Sequence, residues 1–260
     1  MTAAKDKWWK TTWCVHRHDL LLLVGALVAV VAGGALVGFA LTDWTAPSAL
    51  TRLDERLADW FVDIRTPSRT DLATLGAFPA DTPVKITITA IVVGLMLWRW
   101  RRWHEALFIA LTLIFEAMAF ITITAIVGRP RPDVDRLLDS PVNSSFPSGH
   151  VAAATVYAAF AIVVFWRTRA VWARALAVAV AATIPVAVGL ARMYQGMHFF
   201  SDVVAGVVLG AVSLVVCRLI LGHPDRPIPD VGDPAREAST SDVAAIDFAH
   251  AGVVGERVSP

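Results

Sequence analysis

Apolar residues in this chain do not alternate with polar ones; they come in long unbroken runs. Such runs occupy 20–42, 71–98, 104–127, 149–166, 170–191 and 199–221. Each is near the ~20 residues that a helix needs to cross hydrocarbon. The pattern predicts an all-α fold, an integral membrane bundle of six transmembrane helices. The second run is interrupted: "LGAFPADTPVKITITAIVVGLMLW" holds two prolines, an aspartate and Lys85. Its outer part is therefore expected to form a short separate turn, with the span proper starting at Pro83. The first run is too long for a cleaved signal peptide and ends in no small-residue cleavage site, so it is read as a span.

Composition agrees, with 56% hydrophobic and 17% charged residues. Charge then orients the bundle. Lys5, Lys7, Lys10 and Arg17 before the first run, Arg99, Arg101 and Arg102 in "RWRRW", and Arg167, Arg169 and Arg174 in "RTRAVWAR" fall on one side. The positive-inside rule makes that side cytoplasmic, with both termini inside, in a plasma-membrane protein. Arginines at 52, 56, 65, 69, 129, 131, 136 and 192 fall on the other side and need a separate cause. Eight of the ten tryptophans (8, 9, 13, 98, 100, 103, 166, 172) mark the inner boundary, where an amphipathic ring suits the headgroup layer. Cys14 and Cys217 both fall at that end and are expected as free thiols.

Three segments follow: a cytoplasmic stretch at 1–19, the membrane domain at 20–221 and a tail at 222–260. The tail, "GHPDRPIPDVGDPAREASTSD" onward, has frequent prolines and acids without an apolar period, and is expected to be disordered and cytoplasmic. No repeat of 20 to 50 residues recurs.

The chemistry gathers on the outer side, in "GRPRPDVDRLLDSPVNSSFPSGH" and "GLARMYQGMHFFSD". Topology puts Arg129, Arg131, Ser148, Gly149, His150, Arg192, His198 and Asp202 at one face. A single interfacial histidine is ordinarily a polar group solvated by headgroups. Two of them, each beside arginine and glycine at a helix mouth, weaken that explanation. His198 and Asp202 are four apart and share a helix face, so the carboxylate is expected to accept the Nδ1 proton and leave Nε2 free. Ser148 is placed to cap the fourth helix. Gly149 is expected to let an anion approach the exposed N–H groups there. Arg129, Arg131 and Arg192 add forked donors suited to phosphate oxygens. These parts describe a phosphate pocket with a histidine nucleophile, His198, and a second histidine, His150, able to protonate a leaving oxygen.

The set resembles the three-part signature of the type 2 phosphatidic acid phosphatase superfamily: Lys, six residues, Arg-Pro; Pro-Ser-Gly-His; and Ser-Arg, five residues, His, three residues, Asp. Pro147, Ser148, Gly149 and His150 complete the second part. Arg192, His198 and Asp202 carry the third at the right spacing, with Ala191 at the serine. Arg131 and Pro132 end the first, with Thr124 at the lysine. The resemblance spans about 70–221 and implies a six-helix lipid phosphatase with no metal and no cofactor. It also implies His198 as the residue that becomes a phosphohistidine, Asp202 as its orienting group and His150 as general acid. Arg131, Arg192, Ser148 and the Gly149 amide would hold the phosphoryl oxygens. Asp133, Asp135 and Asp139 are read as solvated acids, not as a cation site.

Thr124 removes one cation from the implied clamp. Lys85 and Arg136 are the available substitutes. The expected partners are the bilayer and a lipid phosphate arriving laterally, such as polyprenyl diphosphate, phosphatidate or phosphatidylglycerol phosphate; no nucleic acid is expected. Alanine, valine and arginine usage leans toward a GC-rich bacterium and hence a cell-wall carrier lipid such as undecaprenyl diphosphate. The rival is a catalytically weakened lipid-phosphate binding or transport protein. A vanadate-binding peroxidase of the same superfamily is disfavoured, since those are not membrane chains.

Overall fold

The computed structural model describes residues 17–44, 48–100, 103–139 and 143–222. Contacts divide the chain into two units, Met1–Pro224 and Asp225–Pro260. The second unit, like Cys14 and most of the 1–19 segment, lies outside the described residues, so the reading of the tail does too.

The described chain is all-α: α1 (Arg17–Phe39), α2 (Ala49–Asp63), α3 (Pro67–Ala77), α4 (Thr82–Trp100), α5 (Trp103–Val127), α6 (Gly149–Val156), α7 (Ala158–Arg167), α8 (Val171–Tyr194) and α9 (Phe200–Leu221). Five segments are long and apolar enough to cross a membrane: Arg17–Thr42, Trp103–Val127, Gly149–Arg167, Val171–Tyr194 and Phe200–Leu221. A sixth exists if the bent pair of α3 and α4 counts as one span, with 46° between its halves. The chain is an integral membrane protein. The break in the second run falls where the prolines put it: Phe78–Ala80 form a 3₁₀ turn and Pro83 sits in the first turn of α4.

Sequence patterning missed α2. It opens at Ser48, whose hydroxyl accepts from the Thr51 N–H (3.1 Å). Its buried positions are Asp54, Ala58 and Phe61, one face at helical spacing but with a carboxylate in it.

Close packing of α6 on α9 brings the site together. A Cβ at Gly206 would lie 2.5 Å from the Ser148 carbonyl oxygen, and one at Gly210 2.6 Å from that of Ala152. Glycines four apart let the two backbones meet, as small residues do at helix contacts in membranes. At the opposite end Trp98, Trp103 and Trp172 are exposed, as boundary anchors should be. Trp166 differs: it packs on His104 and Phe108 (ring centroids 5.6 and 5.1 Å), with the Arg218 guanidinium 5.4 Å from its ring. Cys217 is a free thiol, fully buried.

Candidate active site

Helix direction gathers the N-termini of α4, α6 and α9 and the C-termini of α5 and α8 at one end of the bundle. There the Ser148 N–H donates to the Asp202 carbonyl (3.0 Å), tying the mouth of α6 to that of α9.

His198 sits in the turn between α8 and α9, buried. Its Nδ1 lies 2.7 Å from the Ser145 carbonyl oxygen and 4.0 Å from Asp202 Oδ2. The expected acceptor was the carboxylate; the backbone carbonyl of the preceding loop occupies that role instead. The outcome for the ring is the same, since an Nδ1–H donated to Ser145 leaves Nε2 with its lone pair. Burial, then the positive charges of Arg131 and Arg192, holds the imidazole well below histidine's ordinary value.

Asp202 is instead fixed as an anchor. One oxygen accepts the Phe199 N–H (2.9 Å) at the start of α9, and the other accepts from Arg129 Nη1 (2.5 Å). Arg129 in turn reaches Asp54 Oδ2 with Nη2 (3.1 Å) and Ser201 Oγ with Nη1 (2.8 Å). Ser201 donates its N–H and hydroxyl to Asp54 (2.9 and 2.5 Å). Arg129, expected as a phosphate ligand, has its two terminal nitrogens committed to Asp54, Asp202 and Ser201, and its guanidinium lies 4.6 Å from the Phe199 ring centroid. Asp54 is a site-supporting residue that sequence reasoning missed; the signal was an acid on the apolar face of an amphipathic helix.

Arg131 spans the loops, donating to the Met197 (2.5 Å) and Ser144 (3.1 Å) carbonyls. Burial and neighbouring Arg136 lower its pKa from the ordinary value, which Asp202 partly offsets. Arg192, on the last turn of α8, donates through Nη1 to Gln195 Oε1 (3.1 Å), while its buried Nε has no partner. Ser148 occupies the N-cap position of α6, yet its side chain makes no capping bond, contrary to expectation, and the buried hydroxyl is unpartnered. Gly149 is dictated by packing: a Cβ there would lie 2.6 Å from the Phe120 ring. His150 projects from the first turn of α6 with Nε2 3.4 Å from Asp81 Oδ1, a second carboxylate not foreseen as part of the site. His150 and His198 are within electrostatic range of each other, and Arg192, Lys85 and Arg131 are within range of His150.

Five of the eight outer arginines thus have their cause. Arg65 donates to the Tyr194 carbonyl (3.0 Å) and Arg69 to that of Ile64 (2.8 Å), so several of these residues tie down loop backbone. Asp133, Asp135 and Asp139 stand exposed.

The arrangement is a buried imidazole with one free nitrogen, near fixed positive charge and at the same bundle end as two buried donors without partners. Such a site suits a tetrahedral oxyanion.

Comparison with known proteins agrees with the resemblance. The family model described as PAP2 superfamily matches residues 105–224, a stretch that contains position 124 and every residue of the three-part pattern. Phosphatidylglycerophosphatase B of Bacillus subtilis (strain 168) is 28% identical over 185 residues, 69% of this chain and 87% of that protein. A crystal structure described as the first transmembrane PAP2-type phosphatidylglycerolphosphate phosphatase from Bacillus subtilis superposes with a TM-score of 0.62. It shares 23% identity and covers 77% of this chain and 94% of that one, which shows a common fold. The resemblance to the type 2 phosphatidic acid phosphatase superfamily is borne out.

Proposed function

With that PAP2 likeness as premise, we propose that this chain is a membrane lipid phosphatase that cleaves a lipid phosphate monoester or diphosphate through a phosphohistidine at His198. One observation carries the reading: at the bundle end where His198 keeps one nitrogen without a proton, Ser148 Oγ and Arg192 Nε are buried donors with no partner, and Arg192 is within electrostatic range of His198. Unsatisfied buried donors are costly, and phosphoryl oxygens would satisfy them.

In this scheme the Nε2 lone pair attacks phosphorus while the bond to the lipid oxygen breaks, and His150 gives that oxygen a proton. The Nδ1–H bond to Ser145 steadies the ring as it gains positive charge. Arg131, Arg192, Ser148 and the Gly149 amide hold the three equatorial oxygens. Water then attacks the phosphohistidine, giving its proton to His150; the P–N bond breaks, its electrons return to Nε2, and inorganic phosphate leaves. Arg129 and Asp202 position His198's turn.

The substrate is a lipid drawn from the bilayer. An apolar groove of about 530 Å³ between α1, α5 and α9 reaches Phe146, Pro147 and Ser201. An acyl or prenyl chain lying there would carry its phosphate to the pocket. A phosphatidylglycerol phosphate substrate draws support from the name of the Bacillus subtilis relative. Because arginines and amides supply the charge stabilisation in this scheme, hydrolysis is expected to survive chelators and to yield to vanadate, which resembles the five-coordinate phosphoryl group.

The test is phosphate release by the purified protein from phosphatidylglycerol phosphate, phosphatidate and polyprenyl diphosphate, with and without chelator. Turnover of at least one is expected. Vanadate bound without turnover of any would favour the alternative, a lipid-phosphate binding protein, for which Thr124 in place of a lysine is the observation.

A further inference from the structure

We propose that Lys85 of α4 is a phosphate-binding residue of this site, supplying from a neighbouring helix the positive charge that position 124 lacks. The inference rests on the phosphatase reading and extends it to a residue outside the matched pattern.

The Thr124 hydroxyl is committed within the fold. Thr124 is buried and donates its hydroxyl to the Phe146 carbonyl (3.3 Å), so it braces the loop before α6. Lys85 approaches the pocket from another side. Its backbone N–H donates to the Asp81 carbonyl (2.9 Å), which places the two residues one helical turn apart on a shared face. The Asp81 carboxylate is 3.4 Å from His150 Nε2, so that face looks at the mouth of α6. Lys85 is half-buried, one turn inside the bundle end, where a lysine extends its stem toward the headgroup layer and so toward Asp81 and His150. It lies within electrostatic range of His150 above and of Glu116 on α5.

Among the described residues the ammonium has no ion pair within 4 Å, although Glu116 lies within electrostatic range. The ion pairs around the pocket include Asp81 with His150, Arg129 with Asp54 and Asp202, and His198 with Asp202. Glu116 is buried, but neither of its oxygens has a hydrogen-bond partner. A half-buried lysine with no ion pair beside an anion pocket gains a partner when a phosphoryl group arrives. Arg136, the other spare cation, stands exposed beside Arg131, where solvent screens it.

Charge counting gives the consequence. Arg131 and Arg192 together match the two negative charges of a phosphate monoester; a lipid diphosphate carries up to a third, which Lys85 would meet. Lys85→Gln should therefore raise KM and the vanadate inhibition constant about tenfold or more, with the larger KM rise on polyprenyl diphosphate than on phosphatidate. Lys85→Arg should stay close to wild type. Adding Thr124→Lys to Lys85→Gln should recover much of the lost affinity, because a cation returns to the pocket from α5. Vanadate binding is also read directly, as the shift in thermal unfolding of each detergent-purified variant, so that Lys85 is judged even if wild type hydrolyses none of the lipids. Unchanged KM and vanadate affinity in Lys85→Gln would overturn the proposal. So would equal weakening in Lys85→Arg and Lys85→Gln, which would mark Lys85 as structural.

Discussion

The two histidines of the pocket are the same kind of residue in different surroundings, and the difference sets what each can do. Buried His198, held neutral by burial and by Arg131 and Arg192, keeps a free Nε2 in mildly acidic solution, where an ordinary imidazole with pKa 6.5 would be protonated. A nucleophile must be unprotonated, so a depressed pKa extends its working range downward in pH. The acid limb of kcat/KM due to His198 should therefore lie below 6.5. Arg131→Gln, by removing one cation, should raise the His198 pKa and move that limb upward; a limb that stays in place would count against the assignment. His198→Ala should abolish turnover on every lipid, since no phosphoenzyme can form. His150 is exposed enough to meet the leaving group and is paired with Asp81. As general acid it matters most for a strongly basic alkoxide, so His150→Ala should lose more on phosphatidate than on a diphosphate, by a margin within the ~10²- to 10⁴-fold of acid catalysis. Equal losses would mean that His150 binds phosphate and delivers no proton. At this scale the identities were legible because spacing within one helix fixes a shared face. The partners were less so: the acceptor for His198 Nδ1 is a backbone carbonyl 53 positions away, and no side-chain pattern encodes it.

Among the elements, α2 shows what patterning along the chain misses. A membrane span announces itself by twenty apolar residues, whereas α2 is 15 residues long and buries an acid. In sequence Asp54 looks like surface until Arg129 and Ser201 are brought to it from two distant segments. Its importance follows from desolvation: Asp54 and Asp202 together balance a buried guanidinium. Removing one carboxylate charge leaves Arg129 poorly compensated. Asp54→Asn should destabilise the fold by about 3–5 kcal/mol, read as a lower unfolding temperature in detergent. Asp63→Asn, at the exposed end of the same helix, should change it little. Equal shifts for the two would show that the buried network carries no special weight. The α6–α9 contact makes a parallel case. Gly206→Val must displace the Ser148 carbonyl, at a cost of about 1–3 kcal/mol from overpacking. That movement would also shift the Ser148 hydroxyl, so activity should fall further than stability predicts.

For the whole molecule, the sequence pattern led to an all-α membrane bundle because lipid demands internally satisfied backbone over long apolar stretches. Its orientation rests on charge alone, and here the structure changes how it should be tested. The outer arginines blur the positive-inside bias, yet Arg65, Arg69, Arg129, Arg131 and Arg192 are all engaged with carbonyls, carboxylates or an amide oxygen. Arginines tied to the fold report packing and not translocation preference, and this holds on the inner side too for Arg167, paired with Glu105, and Arg174, bonded to the Thr168 and Phe165 carbonyls, so orientation calls for a direct test. The expectation from the positive-inside rule is an α7–α8 turn in the cytoplasm and a loop after α5 outside. Cys217 cannot serve as an inner marker, because it is fully buried and would escape a polar reagent on either side. Exposed positions must be used instead. With cysteines placed singly at Asp139, in the loop after α5, and at Arg169, in the α7–α8 turn, an impermeant thiol reagent on intact cells should label the first and spare the second. Both should react once the membrane is permeabilised, which separates protection by sidedness from protection by burial. Labelling of Arg169→Cys alone in intact cells would invert the bundle and put the phosphate pocket on the cytoplasmic face, so that its lipid phosphate would have to come from the inner leaflet.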